Sequence, residues 1–214
     1  MGIEDSLDRQ WRVREEKEAL RKVAFARLLE GVLPVSAEPK AYHVVNIGCG
    51  DGRDTPDLQA ACRAKNWLPL VCSVDCAETY IAHARTSVGS DSNIFVCADA
   101  ASPAILSEYP PSLDLVLLRH PEILAHNTHL WQRMLAIALS RLAKDGRVLV
   151  TTYSEKEFER IVRITTELPI TAISGGLNPT RDPSLLGWNN KLEATICPDQ
   201  YMALFVKKIT LGNY

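Results

Sequence analysis

The chain contains no apolar run approaching the roughly 20 residues that a bilayer-spanning helix requires. Its first stretch, Met1 to Glu30, alternates acids with bases and lacks the apolar segment of a secretory signal. Neither charge sign is in excess: 24 Lys and Arg stand against 26 Asp and Glu, a formal net charge of -2. Such a chain has no whole-protein field with which to hold a polyanion or an anionic bilayer, so neither a nucleic-acid nor a membrane partner is expected. Six cysteines are sparse for a disulfide scaffold in 214 residues, and no pair has the C-x-x-C spacing of a zinc or redox site. Cys72, Cys97 and Cys197 lie in or beside β-branched runs, the setting of reduced thiols in a cytoplasmic protein. Internal repeats and low-complexity tracts are also missing.

What is present is 46% hydrophobic and 23% charged side chains. A chain of this length buries roughly 70% of the surface its unfolded state exposes, enough for one core without disulfides or metal. Leu7, Trp11, Leu20, Ala24 and Leu28 recur at helical intervals before Gly31 and Pro34, which predicts one or two amphipathic helices over residues 1–34. The second unit, residues 41–214, reads differently. Apolar runs at Tyr42–Ile47, Leu70–Val74, Asn93–Cys97, Leu113–Leu118 and Arg147–Thr152 alternate with helical segments near Asp54–Lys65, Ala77–Ser87, Ala101–Ser107, His129–Ala143 and Glu155–Glu167. Short runs without polar alternation are strands buried on both faces, so the expected fold is α/β: three layers, Rossmann-like, a doubly wound and mostly parallel sheet. Ile170–Ser174, Leu192–Ile196 and Tyr201–Lys207 add strands. Too few residues separate the last two for a helical crossover, so the sheet is expected to finish antiparallel.

Ligands of open parallel sheets bind beyond the carboxyl ends of the strands. Three signals fall there. Val44-Val45-Asn46-Ile47-Gly48-Cys49-Gly50-Asp51-Gly52 is a buried strand running into a turn with glycine at alternate positions, where the backbone can approach a ligand closely. Asp75 ends the next run, 25 residues after Gly50, placed to accept hydrogen bonds from both hydroxyls of a ribose. Asp99 ends the third. Taken singly, Asp75 and Asp99 also suit helix N-caps; the conjunction describes a nucleoside-binding edge.

These features resemble the class I S-adenosylmethionine-dependent methyltransferases. The likeness spans about Tyr42 to Lys207 and rests on the Gly-x-Gly-x-Gly turn, "SVDCAETYIAHAR" from Ser73, "LDLVLLRH" from Leu113 and "LSRLAKDGRVLVTTYS" from Leu139. It implies a sheet of about seven strands with the last antiparallel, S-adenosyl-L-methionine as cofactor and S-adenosyl-L-homocysteine as its product. It also implies that Gly48, Cys49 and Gly50 line the methionine moiety, Asp75 holds the ribose, Cys76 packs on adenine, and Asp99 with Ala100 meets the adenine edge.

One position departs from the family pattern. Asn46 stands where an acid usually helps hold the cofactor's amino end; asparagine accepts a hydrogen bond but cannot pair with an ammonium charge. Asp51 and Asp54 are candidate substitutes, or solvated turn residues. Methyl transfer needs mainly an acceptor held in line with the methyl group, so an acid–base residue is optional. The fourth strand ends in Arg119-His120-Pro121-Glu122, not in the Asn/Asp-Pro-Pro-aromatic motif that methyltransferases acting on amino groups of bases or glutamine use. The expected acceptor is a small molecule, and the expected assembly a monomer or homodimer. Arg119, which forks carboxylates, and His120, which titrates near neutrality, are the candidate catalytic residues. Arg119 also reads as a counter-ion to the cofactor carboxylate or to a nearby Asp, and His120 as a loop-shaping residue.

His126 and His129 form an H-x-x-H pair without the third ligand a catalytic zinc requires, so no metal is expected. His43 opens the first strand at the far edge and reads as structural. Trp131, Met134, Leu135, Ala138 and Leu142 recur at helical spacing as core. Residues Gly175–Asn190 show little periodicity and read as a functional loop. With the leading helix, whose Trp11 and Arg14 are the inward-facing candidates, that loop is expected to cover the cofactor and build the acceptor pocket. Two other readings are carried. One is a cofactor-binding sensor or scaffold that transfers nothing. The other, an NAD-dependent oxidoreductase, is disfavoured because G-x-G-x-x-G would place its third glycine at residue 53, where Arg53 stands, and the third glycine here, Gly52, comes one residue early.

Overall fold

The computed structural model describes residues 3–88, 92–189 and 194–208. One helix, α1 (Ile3–Val32), leads the chain and runs through Gly31. Its last turns bury Ala24, Phe25, Leu28, Leu29 and Val32, whereas Leu20 is exposed. There follow β1 (Lys40–Ile47), α2 (Thr55–Ala64), β2 (Trp67–Asp75), α3 (Glu78–Ser87), β3 (Asn93–Cys97), β4 (Leu113–Arg119), α4 (Thr128–Leu139), β5 (Leu142–Thr152), α5 (Glu155–Thr166) and β6 (Ile170–Leu177). A short ribbon of β7 (Gly187–Asn189) and β8 (Ala194–Ile196) precedes β9 (Tyr201–Lys207).

Seven strands make the main sheet in the order β3-β2-β1-β4-β5-β9-β6. The pairs from β3 to β5 are parallel, and β9 runs antiparallel between β5 and β6. This is the three-layer, doubly wound, mostly parallel sheet read from the sequence. The antiparallel finish comes from β9 against β5 and β6; β8 leaves the sheet and pairs with β7, and Leu192 lies outside the described residues.

Other boundaries move for local reasons. A 3-10 turn, Pro103–Ser107, takes the place of the α-helix expected over 101–107: Ser102 caps it and it is too short for a ladder of α-helical bonds. α4 stops at Leu139, not Ala143, because Leu142 already belongs to β5, paired with Leu113 of β4. The stretch 175–190 is only partly loop. Gly175–Leu177 continue β6 along β9, and Pro183–Leu185 form a second 3-10 turn.

Alternate residues of the central strands serve opposite apolar layers. Val116 and Leu118 face Leu135 of α4 and Ile161 of α5, while Leu115 and Leu117 share a layer with Phe25 and Leu29 of α1 and Leu58 of α2. Each buried leucine contributes about 1.5–3 kcal/mol, and two-sided burial is why these runs show no polar alternation. Among the described residues no helix is long and apolar enough to cross a membrane. The strand order reverses between β1 and β4, and at that switch point the carboxyl ends open a crevice.

Candidate functional site

The chain leaves β1 through Gly48, Gly50 and Gly52, with φ of 72°, 56° and 72°, a region glycine enters without the steric cost a side chain imposes. The N–H groups of Gly48 and Cys49 donate to the Val74 carbonyl at 2.8 and 3.1 Å. That of Gly50 donates to Asp75 Oδ2 at 2.9 Å, and Ala77 N–H donates to Asp75 Oδ1 at 2.9 Å. The glycine turn and the acid ending β2 are therefore one hydrogen-bonded unit. A carboxylate offers about four lone-pair sites, so the half-buried Asp75 keeps capacity for further donors. A Cβ built on Gly50 would meet nothing within 4 Å, and the bare backbone there lines a cleft.

The other positions on this edge differ in exposure. Asn46 is buried beneath the turn, in register with Ser73 and Leu117. Cys49 is buried; desolvation, then the Asp75 charge, push its thiol up to about 12, so it is protonated at neutral pH. Cys76 is exposed. Asp99 is exposed and accepts from Ala101 N–H at 2.8 Å, while Ala100 is buried in the core. Neither acid caps an α-helix: the boundary residue of α3 is Ala77, without a side-chain cap.

β4 ends in Arg119, whose side chain is only 8% exposed. Its Nε and one terminal nitrogen fork Asp199 at 3.0 and 2.7 Å. The other terminal nitrogen donates to Asp54, which stands at the start of α2 without capping it. Of the roles the sequence left open for Arg119, the geometry shows the pairing with the protein's own carboxylates. Burial alone would raise the Asp199 acid, but Arg119 and then His120 overcome that and hold it far below the usual carboxylate range. Burial would likewise lower the guanidinium, and Asp199 and Asp54 outweigh it and raise Arg119. Asp51 is similarly taken, by Arg53 Nε at 2.9 Å. Both acids that might have replaced the one missing at position 46 are thus committed to arginines.

His120 adopts φ 55° and Glu122 φ 42°, conformations that cost non-glycine residues about 1–3 kcal/mol and that concentrate at functional sites. The His120 ring stacks on Tyr153, centroids 3.9 Å apart. Its Nε2 accepts from the main-chain N–H of Asp199 at 2.9 Å and lies 3.1 Å from Asp199 Oδ1. Next to Tyr153, the Ser154 hydroxyl caps α5 by accepting from Glu157 N–H, and Glu157 Oε2 accepts from that hydroxyl and from Tyr153 N–H. Glu157 is fully buried, its Oε1 has no hydrogen-bond partner, and desolvation, outweighing bonds from Ser154 and Tyr153, raises its acid.

Gly48, Gly50, Arg119, His120 and Tyr153, with Glu18 and Lys22 of α1, surround a cleft of about 210 Å³. A groove of about 500 Å³ shares Glu18, Lys22, Asp51 and Arg53 and continues along α3. The side chains of Trp11, Arg14 and Trp188 lie outside the described residues. His126 and His129 are exposed at the start of α4, and among the described residues no group of three or more His, Cys, Asp or Glu is arranged to hold a metal. The N–H of His43 donates to Asp114 at 2.8 Å, at the opposite edge of the sheet. In the predicted core stripe, Leu135, Ala138 and Leu142 are buried, while Trp131 and Met134 pack partly exposed against them.

Sequence reasoning did not find Asp199, Tyr153, Glu157 or Phe25. One signal was available: an arginine ending a buried strand requires a carboxylate partner. Nothing in the sequence says that the partner is Asp199, which sits in a turn with φ 51°.

No protein-family model and no curated protein matches the chain. Solved structures do. The chain is similar to a TehB-like SAM-dependent methyltransferase from Corynebacterium glutamicum (16% identity, TM-score 0.59, covering 97% of this chain and 100% of that one). It is also similar to precorrin-6y C5,15-methyltransferase from Geobacter metallireducens (11% identity, TM-score 0.59, 86% and 87% covered). A third is ribosomal protein L11 methylase from Lactobacillus delbrueckii subsp. bulgaricus (14% identity, TM-score 0.55, 86% and 77% covered). At these identities the likeness is one of fold.

Proposed function

We propose that this chain transfers a methyl group from S-adenosyl-L-methionine to a small-molecule acceptor, chiefly by holding the two in line. The observation that carries the reading is the Gly50–Asp75 unit: a turn with one bare, open face, bonded to a carboxylate with spare acceptor sites, at the switch point of a fold shared with methyltransferases. When bound, the cofactor supplies an electrophilic methyl group on a sulfonium.

The residues present fit it at most positions. Gly48, Cys49 and Gly50 would line its methionine moiety, Asp75 would accept from the ribose hydroxyls, and exposed Cys76 and Asp99 would flank adenine. Ala100 would contribute only backbone, because its side chain is buried. Asn46 lies beneath the turn and would act by shaping it. Lys22 and Arg21 of α1 would close the cleft over the bound molecule. Arg119, tied to Asp54 and Asp199, would position the strand end, leaving His120 as the candidate for contact with the acceptor.

The acceptor class rests on the modest size of the cleft and on the loop after β4. The named acceptors of the structural neighbours range from a precorrin to a ribosomal protein, so fold does not decide it. A sensor that binds the nucleoside and transfers nothing is the second reading; burial of Asn46 in place of a cofactor-facing acid favours it.

Calorimetric titration with S-adenosylmethionine, S-adenosylhomocysteine and NAD tests the proposal. Tighter binding of the first two is expected, and Asp75→Ala should weaken them 10-fold or more, about 1.4 kcal/mol per decade. A preference for NAD, or unchanged affinity in a folded Asp75→Ala, would refute the assignment. Transfer of labelled methyl to a screened acceptor separates enzyme from sensor.

A further inference from the structure

We propose that α1 holds the amino-acid end of the methyl donor, Lys22 pairing with its carboxylate and Glu18 with its ammonium, in place of the acid missing at position 46. The inference rests on the cofactor reading above and adds two residues to it.

The need is chemical. The tail shared by S-adenosylmethionine and S-adenosylhomocysteine is a zwitterion at neutral pH, and each of its charges, once drawn into a cleft, is stabilised by an opposite one. Asn46 is neutral and buried beneath the turn. Asp51 is taken by Arg53. Asp54 is taken by Arg119, which also forks Asp199. The same pairs occupy both arginines, so neither is open to a ligand carboxylate. Of the charged side chains that line the cleft, this leaves Glu18, Arg21 and Lys22, all from α1.

The helix is held so that they face the turn. Glu18, Lys22 and Phe25 follow one another at intervals of four and three and share one face of α1. Phe25 packs on the Arg119 guanidinium, which fixes that face against the carboxyl edge of the sheet. One and two turns earlier, Lys22 and Glu18 line the cleft together with Gly48, Cys49 and Gly50.

Both charges are open to a partner. Lys22 is exposed and makes no hydrogen bond or ion pair among the described residues. Asp57 feels its charge, but burial prevails and raises the Asp57 acid, and no ion pair joins the two. Glu18 meets Arg21 at 3.6 Å without a hydrogen bond, the arginine side chain 46% and the glutamate 32% exposed. Water screens such a pair, and a carboxylate with about four lone-pair sites has room for an ammonium as well. Glu18 and Lys22 have the i, i+4 spacing at which opposite charges commonly bridge, yet no ion pair joins them among the described residues. A group bearing an ammonium and a carboxylate on one carbon would meet both from a single position.

Calorimetry on the full chain with four ligands tests this. They are S-adenosylhomocysteine, its analogue without the α-amino group, its analogue without the carboxylate, and 5′-methylthioadenosine, which has neither. Wild type should bind S-adenosylhomocysteine most tightly and methylthioadenosine about 10-fold or more weakly. Lys22→Met should weaken the two ligands that carry the carboxylate about 10-fold and leave the other two unchanged. Glu18→Gln should weaken the two that carry the ammonium and leave the others unchanged. Lys17→Met, on the same helix but outside the cleft, should change nothing. Three results would overturn the proposal and spare the nucleoside site: equal wild-type affinity for S-adenosylhomocysteine and methylthioadenosine, variants that bind all four as wild type does, or losses that fall alike on all four. The wild-type series is decisive on the first even if a variant does not fold. Binding of none of the four would sink the cofactor reading and this inference with it.

Discussion

Phe25 and Arg119 are stacked, the guanidinium carbon 4.0 Å from the ring centroid, so the leading helix is joined to the strand end that floors the cleft. The ring is fully buried among Leu29, Leu58 and Leu117. The C-terminal half of α1 thus belongs to the core, and any covering role falls to the part that carries Glu18, Arg21 and Lys22.

Phe25→Ala should therefore cost about 3–5 kcal/mol in urea denaturation, and Phe25→Leu, nearer in volume, below about 1.5 kcal/mol. A loss from Phe25→Ala of only a few tenths would mean that the helix covers the domain without being part of it.

Removing Arg119 leaves the Asp199 charge buried and unpaired. Arg119→Met should destabilise by about 3–5 kcal/mol. Arg53→Met breaks an ion pair whose arginine side chain is 53% exposed, where water screens the interaction, and should change stability by at most about 1 kcal/mol. Equal effects in a denaturation series would contradict the burial argument.

Two acids should shape the pH dependence with opposite signs. The Asp199 acid is held low, so its stabilisation is full above the ordinary carboxylate range and is lost as pH falls through that range toward the folded value. Wild type should lose more stability than Asp199→Asn on going below about pH 4. The Glu157 acid is held high, so its ionisation opposes folding as pH rises above its ordinary value. Melting temperature should consequently shift in favour of Glu157→Gln as pH rises from about 4 to about 8, and a shift in the other direction would show that the buried carboxylate is stabilised by groups other than Ser154 and Tyr153.

The glycine turn separates packing from access. At Gly52 a Cβ would sit 2.7 Å from the Phe95 ring and 3.0 Å from Ala84 Cβ, with φ of 72°. Gly52→Ala should cost about 1–2 kcal/mol in backbone strain and a further 1–3 kcal/mol, roughly, in overpacking. Gly50→Ala carries the backbone strain alone and should show its larger effect in nucleoside affinity, measured by calorimetry.

Much of this was legible in the residue order. The runs at Val44–Ile47, Leu113–Leu118 and Arg147–Thr152 are apolar throughout because their alternate side chains enter two cores, and that single property gives parallel strands, crossovers and three layers. Gly48, Gly50 and Asp75 were visible because a backbone that must turn left-handed requires glycine and a strand-ending acid breaks an apolar run. Boundaries such as the end of α4 were not visible, because the pairing of Leu142 with Leu113 is non-local.

The sequence by itself determined the strands, their carboxyl edge and the glycines and acid that stand there, since each follows from local periodicity or local conformational need. Tertiary structure alone decided what Arg119 and His120 do. Their partners Asp54, Phe25, Asp199 and Tyr153 come from four other parts of the chain, and the charge on Asp199 persists in a fully buried place only because folding brings Arg119 and His120 against it.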